Sequence, residues 1–516
     1  MEKPIYIKKI KIHSKKILVY IECSENPDKL HAELHFQNAW LNEIKEVTLN
    51  RSGNMIVCIL DPSLLDKNGG DWTLTIRNPQ NDFIYIPTLS SRARLSLLLG
   101  RHYVLRDDFI YFPMGGNAHR LLLRVRQRQT YDNFSFRLKE LAAFGIYKLF
   151  GKFLEKKHIW LVYEKFCITA QENGYYFFEY CMEHQKKNVY FILDKSSAQW
   201  NNLQKYSKNV IPFLSFRHIL YLMASDLFIS PDGRYHAYAW KPMPNPVTRE
   251  ISRKDIFFLQ HGVTAMKKVT HLFGVQGSSP MTYFVTTSNY EQNIVTKHLG
   301  YDPAHAPILG FARWDALKNL SDQEHPMILL MPTWRSWLEG QTDEHFMHSQ
   351  YYKNYSALLN NSHLQSILKE HNVRLVFYIH PKLKEFISSF HSSDSQIELV
   401  SFNSKPLNQL IMECSMMITD YSSACWDAYY QNKPILFYHF DLEQYNETNG
   451  SYLDMKKELF GDCCTTQDEL VALIQDYIEH DFCEKENYAA MRKDYFAYRD
   501  HNNCKRIYEF IKDRGY

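Results

Sequence analysis

The feature that most constrains the fold is an alternation of short apolar runs with longer helical stretches, which begins near residue 158. Runs of this kind are typical of parallel strands joined by crossover helices. The first series has candidate strands at 159–164, 189–194, 226–231, 255–260, 283–288 and 307–310. The second has them at 327–334, 374–380, 416–420 and 434–440. Two tandem series predict two Rossmann-like α/β domains, over 158–318 and 319–516, that face each other across a cleft. Residues from about 485 to 513 are predicted to be helical.

The first 112 residues follow a different pattern. Short alternating runs are separated by Asn, Asp, Gly and Pro, as in small antiparallel domains. A β-sandwich-like accessory domain is therefore predicted over 1–112. It contains no catalytic constellation, so an acceptor-handling role and a purely structural role both stay open.

Residues 113–157 form a basic connecting segment. Between 119 and 157 there are ten Lys and Arg against three Asp and Glu. Apolar residues recur there at helical spacing, which predicts an amphipathic helix. Two interpretations stay open: docking on an anionic membrane surface, or packing of the apolar stripe on the next domain. The stripe consists of Leu138, Leu141, Ala142, Ile146, Leu149, Phe150 and Phe153.

Composition disfavours several classes of protein. The formal net charge of +3 over 516 residues shows no global nucleic-acid signature, so no nucleic-acid partner is expected. The ten cysteines include no CxxC pair, which predicts reduced thiols and no zinc site. The N-terminal residues lack the apolar core of a signal peptide, and no run reaches the roughly 18 apolar residues of a spanning helix. A cytoplasmic chain is expected, with peripheral membrane contact left open.

Ligands of open parallel sheets bind beyond the carboxyl ends of the strands, so residues that follow the predicted strands are the candidate site. They include two histidines, several cations and two adjacent hydroxyls, without a pair of carboxylates. This set suits phosphate binding better than glycoside hydrolysis, which usually needs two carboxylates. The candidates are His261 to Lys268, Phe311 to Asp315, Pro332 to Arg335, His380 to Lys382, Asp420 to Ser423, and Asp427.

Ser422 and Ser423 are predicted to begin a helix that contains Asp427. Hydroxyls and unpaired N–H groups at a helix start bind anions, and Asp427 is a candidate acceptor for ribose or polyol hydroxyls. Each residue also has an ordinary explanation: a loop histidine, a helix cap, or a surface pair between Arg313 and Asp315. Their joint occurrence at five strand ends favours a functional site.

At these positions the chain resembles a known family. The segments are LQHG with a following KK (259–268), GFARWD (310–315), PTWR (332–335), HP (380–381) and ITDYSSACWDAYYQNKPILFY (418–438). They resemble the CDP-glycerol glycerophosphotransferases, the teichoic acid polymerases and primases of Gram-positive envelopes, over about residues 158–512. The chain departs from the family at Thr264 or Ala265, where many relatives have proline. This difference leaves open which polyol the donor carries.

The resemblance implies a GT-B fold with the nucleotide in the cleft, a CDP-donor site in 319–516 and peripheral association with the membrane. It implies transfer of polyol phosphate from a CDP-polyol to an acceptor hydroxyl, with no metal or other cofactor required. His261 and His380 are the expected catalytic residues, with His261 as general base. Arg313, His380 and the Ser422–Ser423 helix start are expected to stabilise phosphate charge. The implied substrate contacts are His261, Gly262, Val263, Thr264, Ala265, Arg313, Pro332, Thr333, Tyr378, Ile379, His380, Ser422, Ser423 and Asp427.

The expected activity is transfer of glycerol phosphate from CDP-glycerol to a teichoic-acid-like or capsular polymer on a lipid-linked acceptor, at the cytoplasmic face of the membrane. Three enzyme alternatives stay open: a CDP-ribitol or other CDP-polyol donor, addition of a single unit, and a GT-B glycosyltransferase that uses a nucleotide sugar. A polymer-binding protein with an inactive nucleotide site is the non-enzyme alternative, which the presence of His261 and His380 disfavours. Homo-oligomerisation is left open.

Overall fold

The computed structural model of the chain describes residues 5–23, 29–37, 42–65, 69–80, 83–100, 102–339, 341–400 and 405–516. Residues 1–4, the start of the predicted N-terminal domain, lie outside the described residues. By its internal contacts the chain divides into two units. Unit 1 contains the chain up to Lys157 together with 214–224 and 238–254, and unit 2 contains 158–213, 225–237 and 255–516.

Unit 1 is built on one mainly antiparallel sheet, which confirms the predicted N-terminal antiparallel β domain but as a single continuous sheet and not as a sandwich of two sheets. Its alternating sequences place every second side chain in a shared core, as in β2, where Ile17, Val19 and Ile21 are buried. The sheet continues past residue 112 to Gln127. Its strands are β1 Tyr6–His13, β2 Lys16–Glu22, β3 His31–Gln37, β4 Asn42–Ser52, β5 Met55–Leu60, β6 Gly70–Asn78, β7 Phe83–Tyr85, β8 Thr88–Leu89, β9 Val104–Arg106, β10 Phe109–Gly115 and β11 Leu121–Gln127.

The order of the sheet is β8-β1-β2-β5-β4-β3-β6-β11-β10-β9, with β7 also paired to β6. The long strand β4 joins its two halves. Residues 42–47 of β4 pair with β3, and residues 48–52 pair with β5. The sheet is therefore continuous, and both halves contribute side chains to the same core.

Within the described ranges, α-helices flank the sheets of both units, and none of them is long and apolar enough to cross a membrane. Unit 1 contains α1, α2, α4 and α5. In chain order the helices are α1 Ser91–Leu99, α2 Phe134–Glu155, α3 Asn173–Glu183, α4 Phe216–Ala224, α5 Pro246–Ile251, α6 Thr270–Phe273, α7 Asn289–Leu299, α8 Asp343–His348, α9 Gln350–Leu359, α10 Ser362–Glu370, α11 Leu407–Glu413, α12 Cys425–Tyr430, α13 Leu442–Thr448, α14 Gln467–Glu479, α15 Glu486–Tyr495 and α16 Asn503–Asp513.

Unit 2 contains two six-stranded parallel sheets, which confirms the two Rossmann-like domains. The first comprises β12 Trp160–Val162, β13 Val189–Leu193, β14 Val210–Pro212, β15 Leu227–Ser230, β16 Asp255–Phe258 and β17 Tyr283–Phe284. The second comprises β18 Met327–Met331, β19 Arg374–Tyr378, β20 Ile397–Val400, β21 Met416–Thr419, β22 Ile435–Tyr438 and β23 Asp462–Cys464. Their orders are β14-β13-β12-β15-β16-β17 and β20-β19-β18-β21-β22-β23. Both follow the Rossmann order 3-2-1-4-5-6, which places a ligand crevice where the order reverses.

The strand predictions fail at three of the four sheet edges, the edge strand β17 being the exception. Residues 307–310 do not form a strand; they contribute one isolated bridge, between Thr286 and Ile308, before the chain turns at Gly310 with φ of 77°. Conversely β14, β20 and β23 are edge strands that were not predicted. Edge strands of three or four residues have few buried side chains, so they lack the continuous apolar run that identifies a central parallel strand.

The C-terminal segment is helical, as predicted, and returns to the first Rossmann-like domain. The backbone N–H groups of Asn503 and Cys504, at the start of α16, donate to the Asp315 carboxylate at 2.9 and 2.7 Å. This contact also explains Asp315, which binds the C-terminal helix and does not pair with Arg313.

Candidate active site

Strand ends from both Rossmann-like domains line one cavity of about 370 Å³. Ten of the predicted site residues line it, and the other four, Ala265, Pro332, Tyr378 and Ile379, are buried behind it. The ten are His261, Gly262, Val263, Thr264, Arg313, Thr333, His380, Ser422, Ser423 and Asp427. The structure therefore brings the two histidines and the serine pair to one site, although they are far apart in the sequence.

His261 follows β16, and its imidazole is about half exposed to the cavity. Its Nε2 lies 3.0 Å from Oδ1 of Asp232, a buried carboxylate that follows β15. An Nε2–H that faces this carboxylate leaves Nδ1 as the basic nitrogen. Burial acts to lower the pKa of His261, but the charges of Asp232 and then Glu172 outweigh it, and the pKa is raised. His261 is thus equipped to accept a proton from a ligand in the cavity.

The loop that contains His261 is held by buried polar contacts. Gln260 has a positive φ of 61°, a conformation that needs support in a residue other than glycine. The buried Glu291 carboxylate supplies it, since one oxygen accepts from Gln260 Nε2 at 3.0 Å and from Thr264 N at 2.6 Å. Asn173 Nδ2 donates to the carbonyl of Gln260 at 2.6 Å, while Asn173 Oδ1 accepts from Arg313 N at 3.0 Å. Asn173 therefore links the His261 and Arg313 loops.

Arg313 is buried and already paired. Its Nε and Nη2 each donate to Asp427 at 2.8 Å, and Trp314 Nε1 donates to the same carboxylate at 2.7 Å. Both Asp427 oxygens therefore already accept hydrogen bonds within the protein, and contact of Asp427 with a ribose or polyol hydroxyl stays a prediction. The third nitrogen, Nη1, lies 3.7 Å from Glu172, whose carboxylate lines the cavity. This pairing joins the two Rossmann-like domains and largely offsets the Arg313 charge.

His380 follows β19 and has the opposite electrostatic environment to His261. Burial, and then the nearby Lys382 and Lys165, lower the pKa of His380 to about 4. Lys267 adds to this effect. A neutral imidazole surrounded by three ammonium groups is expected at pH 7, which makes this side of the cavity suited to an anion.

The PTWR and TDYSS segments meet through a fully buried ion cluster. Arg335 Nη2 lies 2.8 Å from Asp420, and Arg335 Nε donates to Asp441 at 2.7 Å. Asp420 in turn accepts from the backbone N–H groups of Thr333 and Tyr421, at 2.7 and 2.6 Å. The arginine of one segment and the aspartate of the other therefore hold both loops at the switch point between β18 and β21.

The serine pair lies before α12 and not inside it. The α-helix begins at Cys425 and has six residues, so the prediction that Ser422 and Ser423 begin it is wrong by two residues. Ser422 Oγ accepts from Ala424 N at 3.3 Å and closes a turn instead. A Cβ atom on Gly262 would lie 2.7 Å from Ser423 Oγ. Glycine at 262 thus allows the His261 loop to approach the serine turn closely.

Several site residues were missed in the sequence. Lys165 and Asp232 follow β12 and β15 directly, so the strand-end criterion finds them when it is applied to those two strands as well. Glu172 is at the N-cap position of α3, and Glu291 lies in the first turn of α7. The Ser288-x-x-Glu291 pattern predicts a helix start but not the contacts of Glu291 with Gln260 and Thr264, and Glu172 has no signal in the sequence. Across the described ranges, no three His, Cys, Asp or Glu side chains are grouped to hold a metal ion.

Two Rossmann-like domains whose strand ends line one cavity define a GT-B fold. A solved structure of the wall teichoic acid polymerase TagF has a similar fold, with a TM-score of 0.52, 13% identity, and coverage of 74% of this chain and 99% of that chain. A family profile described as CDP-Glycerol:Poly(glycerophosphate) glycerophosphotransferase matches residues 147–513. The chain therefore belongs to this family of transferases.

Relatives from bacilli agree with the family. The chain is 30% identical to the minor teichoic acid biosynthesis protein GgaB of Bacillus subtilis (strain 168) over 72% of its own length and 41% of that protein. It is 27% identical to the teichoic acid poly(ribitol-phosphate) polymerase of Bacillus spizizenii over 43% of its length and 38% of that protein. It is also 25% identical to a teichoic acid glycerol-phosphate primase of Bacillus subtilis (strain 168), over 52% of its own length and 66% of that protein. The chain thus spans about two fifths of the length of the first two relatives.

Proposed function

We propose that this chain transfers glycerol phosphate from CDP-glycerol to the hydroxyl end of a teichoic-acid-like or capsular polymer and releases CMP. The family and the matched relatives support a CDP-polyol donor, and a TagF structure from a CDPG soak has a similar fold. The observation that carries the proposal is the His261–Asp232 pair in a cavity that also contains a cation-surrounded histidine.

In the proposed reaction, His261 Nδ1 takes the proton of the acceptor hydroxyl. The hydroxyl oxygen forms a bond to the β-phosphorus of the donor. The bond from that phosphorus to the bridging oxygen breaks, and CMP leaves with the electron pair. His380, Lys165 and the Ser422 and Ser423 hydroxyls stabilise the phosphate charge. Arg313 does not share this task, because Asp427 offsets its charge.

The test is release of CMP by the purified chain with CDP-glycerol, CDP-ribitol or a UDP-sugar, each with and without a short polyol-phosphate acceptor. Acceptor-dependent CMP release from CDP-glycerol that exceeds release from CDP-ribitol supports the proposal. Turnover of a UDP-sugar alone contradicts it and supports the glycosyltransferase alternative. A ribitol donor is the second candidate, since one matched relative is a poly(ribitol-phosphate) polymerase.

We also propose that the chain works at the inner face of a membrane, through helix α2. This helix buries Arg137 and Glu140, whereas Leu149 and Phe153 are 78% and 68% exposed. A helix with polar residues inward and a large apolar stripe outward is the reverse of a soluble amphipathic helix, and such patches mark interaction surfaces.

Charge complementarity favours a lipid surface as the partner. Lys152, Lys156 and Lys157 are exposed beside the stripe at the C-terminal end of α2. Lysines next to exposed Phe and Leu side chains match an interface in which anionic headgroups lie above acyl chains.

The test is sedimentation with phosphatidylglycerol and with phosphatidylcholine vesicles. A Leu149→Ser/Phe153→Ser variant is expected to lose about 10²–10⁴-fold in partitioning into the vesicles, since each side chain contributes on the order of 1.5–3 kcal/mol when buried in the membrane. A Lys152→Gln/Lys156→Gln/Lys157→Gln variant is expected to lose the preference for the anionic vesicle. Ile84→Ser, an exposed apolar residue of β7, is the matched control. Unchanged binding of both α2 variants contradicts the proposal.

A further inference from the structure

Two ammonium groups lie around one indole ring at the edge of the cavity. The Nζ atom of Lys382 is 3.8 Å from the centroid of the Trp334 ring, and that of Lys267 is 5.2 Å from it. Lys267 comes from the loop after His261, whereas Trp334 and Lys382 come from the second Rossmann-like domain. The two domains therefore contribute one cation each to the same ring.

The charges of these lysines are positioned without being fully neutralised. Attraction to the face of an aromatic ring orients a cation but supplies no negative charge. Lys382 also pairs with Glu339 at 2.8 Å, while Lys267 and Lys382 repel each other enough to contribute to a lowered pKa of Lys267, after the effect of burial. With Lys165 and His380 nearby, this edge of the cavity is cationic. An anion that bridged the two lysines would relieve the repulsion.

The size of the cavity indicates whether the donor or the acceptor supplies the anion between the two lysines. A cavity of about 370 Å³ is near the small end of the range for small-molecule sites, about 300–1,000 Å³. A cavity of this size does not hold a polymer, so most of an acceptor chain lies outside it. Lys267 and Trp334 line its edge, and Lys382 lies beyond its lining and is 40% exposed. These side chains are placed to contact a chain that leaves the cavity on this side while its last hydroxyl lies at His261.

We propose that Lys267, Lys382 and Trp334 form a binding site for a phosphodiester of the acceptor polymer, behind the unit whose hydroxyl reacts. This inference rests on the proposed function and identifies the acceptor as a polyanion that is bound through its backbone phosphate. Charge-assisted hydrogen bonds from lysine to a phosphate oxygen are the expected contacts. They favour acceptors that already contain at least one internal phosphodiester.

The experiment measures acceptor KM and donor KM with synthetic polyol-phosphate oligomers of one, two and four phosphates. In the unsubstituted protein, acceptor KM is expected to fall between one and two phosphates. Lys267→Gln and Lys382→Gln are each expected to raise KM for the longer oligomers about 5–30-fold, and to remove the length dependence, while donor KM stays unchanged. Added salt is expected to weaken the effect by screening.

Lys297→Gln is the matched control, since it removes the same charge from an exposed residue of α7 that does not line the cavity. The proposal is overturned if the lysine variants keep the length dependence, if Lys297→Gln has the same effect, or if donor KM rises in place of acceptor KM. The last result assigns the lysines to the donor diphosphate. Failure of the proposed function is distinguishable, because the unsubstituted protein would then release no acceptor-dependent CMP.

Discussion

The two histidines of the cavity are the same residue type in opposite electrostatic environments. His261 lies beside the carboxylates of Asp232 and Glu172, and its pKa is raised although burial opposes this. His380 is among Lys382, Lys165 and Lys267, and burial and these cations lower its pKa to about 4. When neighbours drive the pKa values of two groups apart, the groups take different chemical roles. Here one histidine is suited to accept a proton, and the other stays neutral beside an anion.

The strongest test of this comparison is loss of the proton acceptor. His261→Ala is expected to lower kcat about 10²–10⁴-fold, since this is the usual contribution of a general base. Donor binding, measured by calorimetry, is expected to remain. His158→Gln is the matched control, because His158 makes a similar pair with Asp226, at 2.6 Å, outside the cavity. Near-normal turnover by His261→Ala with donor still bound would remove His261 from the chemistry.

The next test removes the carboxylate and keeps the base. Asp232→Asn is expected to lower kcat about 10²–10³-fold, because Asp232 orients His261 and stabilises its protonated form. Without this charge the pKa of His261 falls. The acidic limb of the kcat/KM profile is therefore expected to move to lower pH. Asp226→Asn is the control, and an unmoved limb would show that Asp232 does not set the pKa of His261.

His380 provides a test through stability. Its pKa is lowered from 6.5 to about 4 on folding, so the unfolded chain binds the proton first as the pH falls. The His380 contribution to stability is thus present above pH 6.5 and is lost between there and about pH 4. As the pH falls through this window, the free energy of unfolding is expected to decrease by about 1–3 kcal/mol less in His380→Gln than in the unsubstituted protein. The upper end of this range corresponds to the full difference between the two pKa values.

Urea titrations at several pH values measure this difference. The exposed His391→Gln is the matched control. A slope in the His380→Gln variant equal to that of the unsubstituted protein would mean that the lysines do not keep His380 neutral.

The smallest effect is expected at Glu172, which contributes less than Asp232 to the raised pKa of His261. Glu172→Gln is expected to shift the acidic limb in the same direction as Asp232→Asn but by less, with kcat within about 10-fold of the original. A shift larger than that of Asp232→Asn would reverse the assigned order of the two carboxylates. The pH profile of kcat/KM is the measurement.

Several parts of this site were predictable because parallel sheets place function at strand ends. His261, Arg313, Thr333, His380 and Ser422 follow predicted strands, and all line the cavity. The pairing of Asp427 was not predictable, because its partners Arg313 and Trp314 are more than a hundred residues away. The position of a residue in the sequence does not reveal whether its hydrogen bonds are already satisfied in the fold.

The stripe of α2 illustrates the same limit. Periodicity predicts the helix and its apolar face, but an apolar stripe has the same spacing whether it packs inward or faces outward. Burial of Arg137 and Glu140 decides between the two, and it depends on the contact of Glu140 with Tyr238, far along the chain.

The sequence by itself determined the two Rossmann-like domains, the N-terminal β domain and the loops of the site, because periodicity and strand-end position are local properties. The tertiary structure alone decided the direction in which the pKa of each histidine is shifted, the pairing of Arg313 with Asp427 and the outward direction of the α2 stripe. These depend on distances between residues remote in sequence, and electrostatic and burial energies vary with such distances rather than with order along the chain.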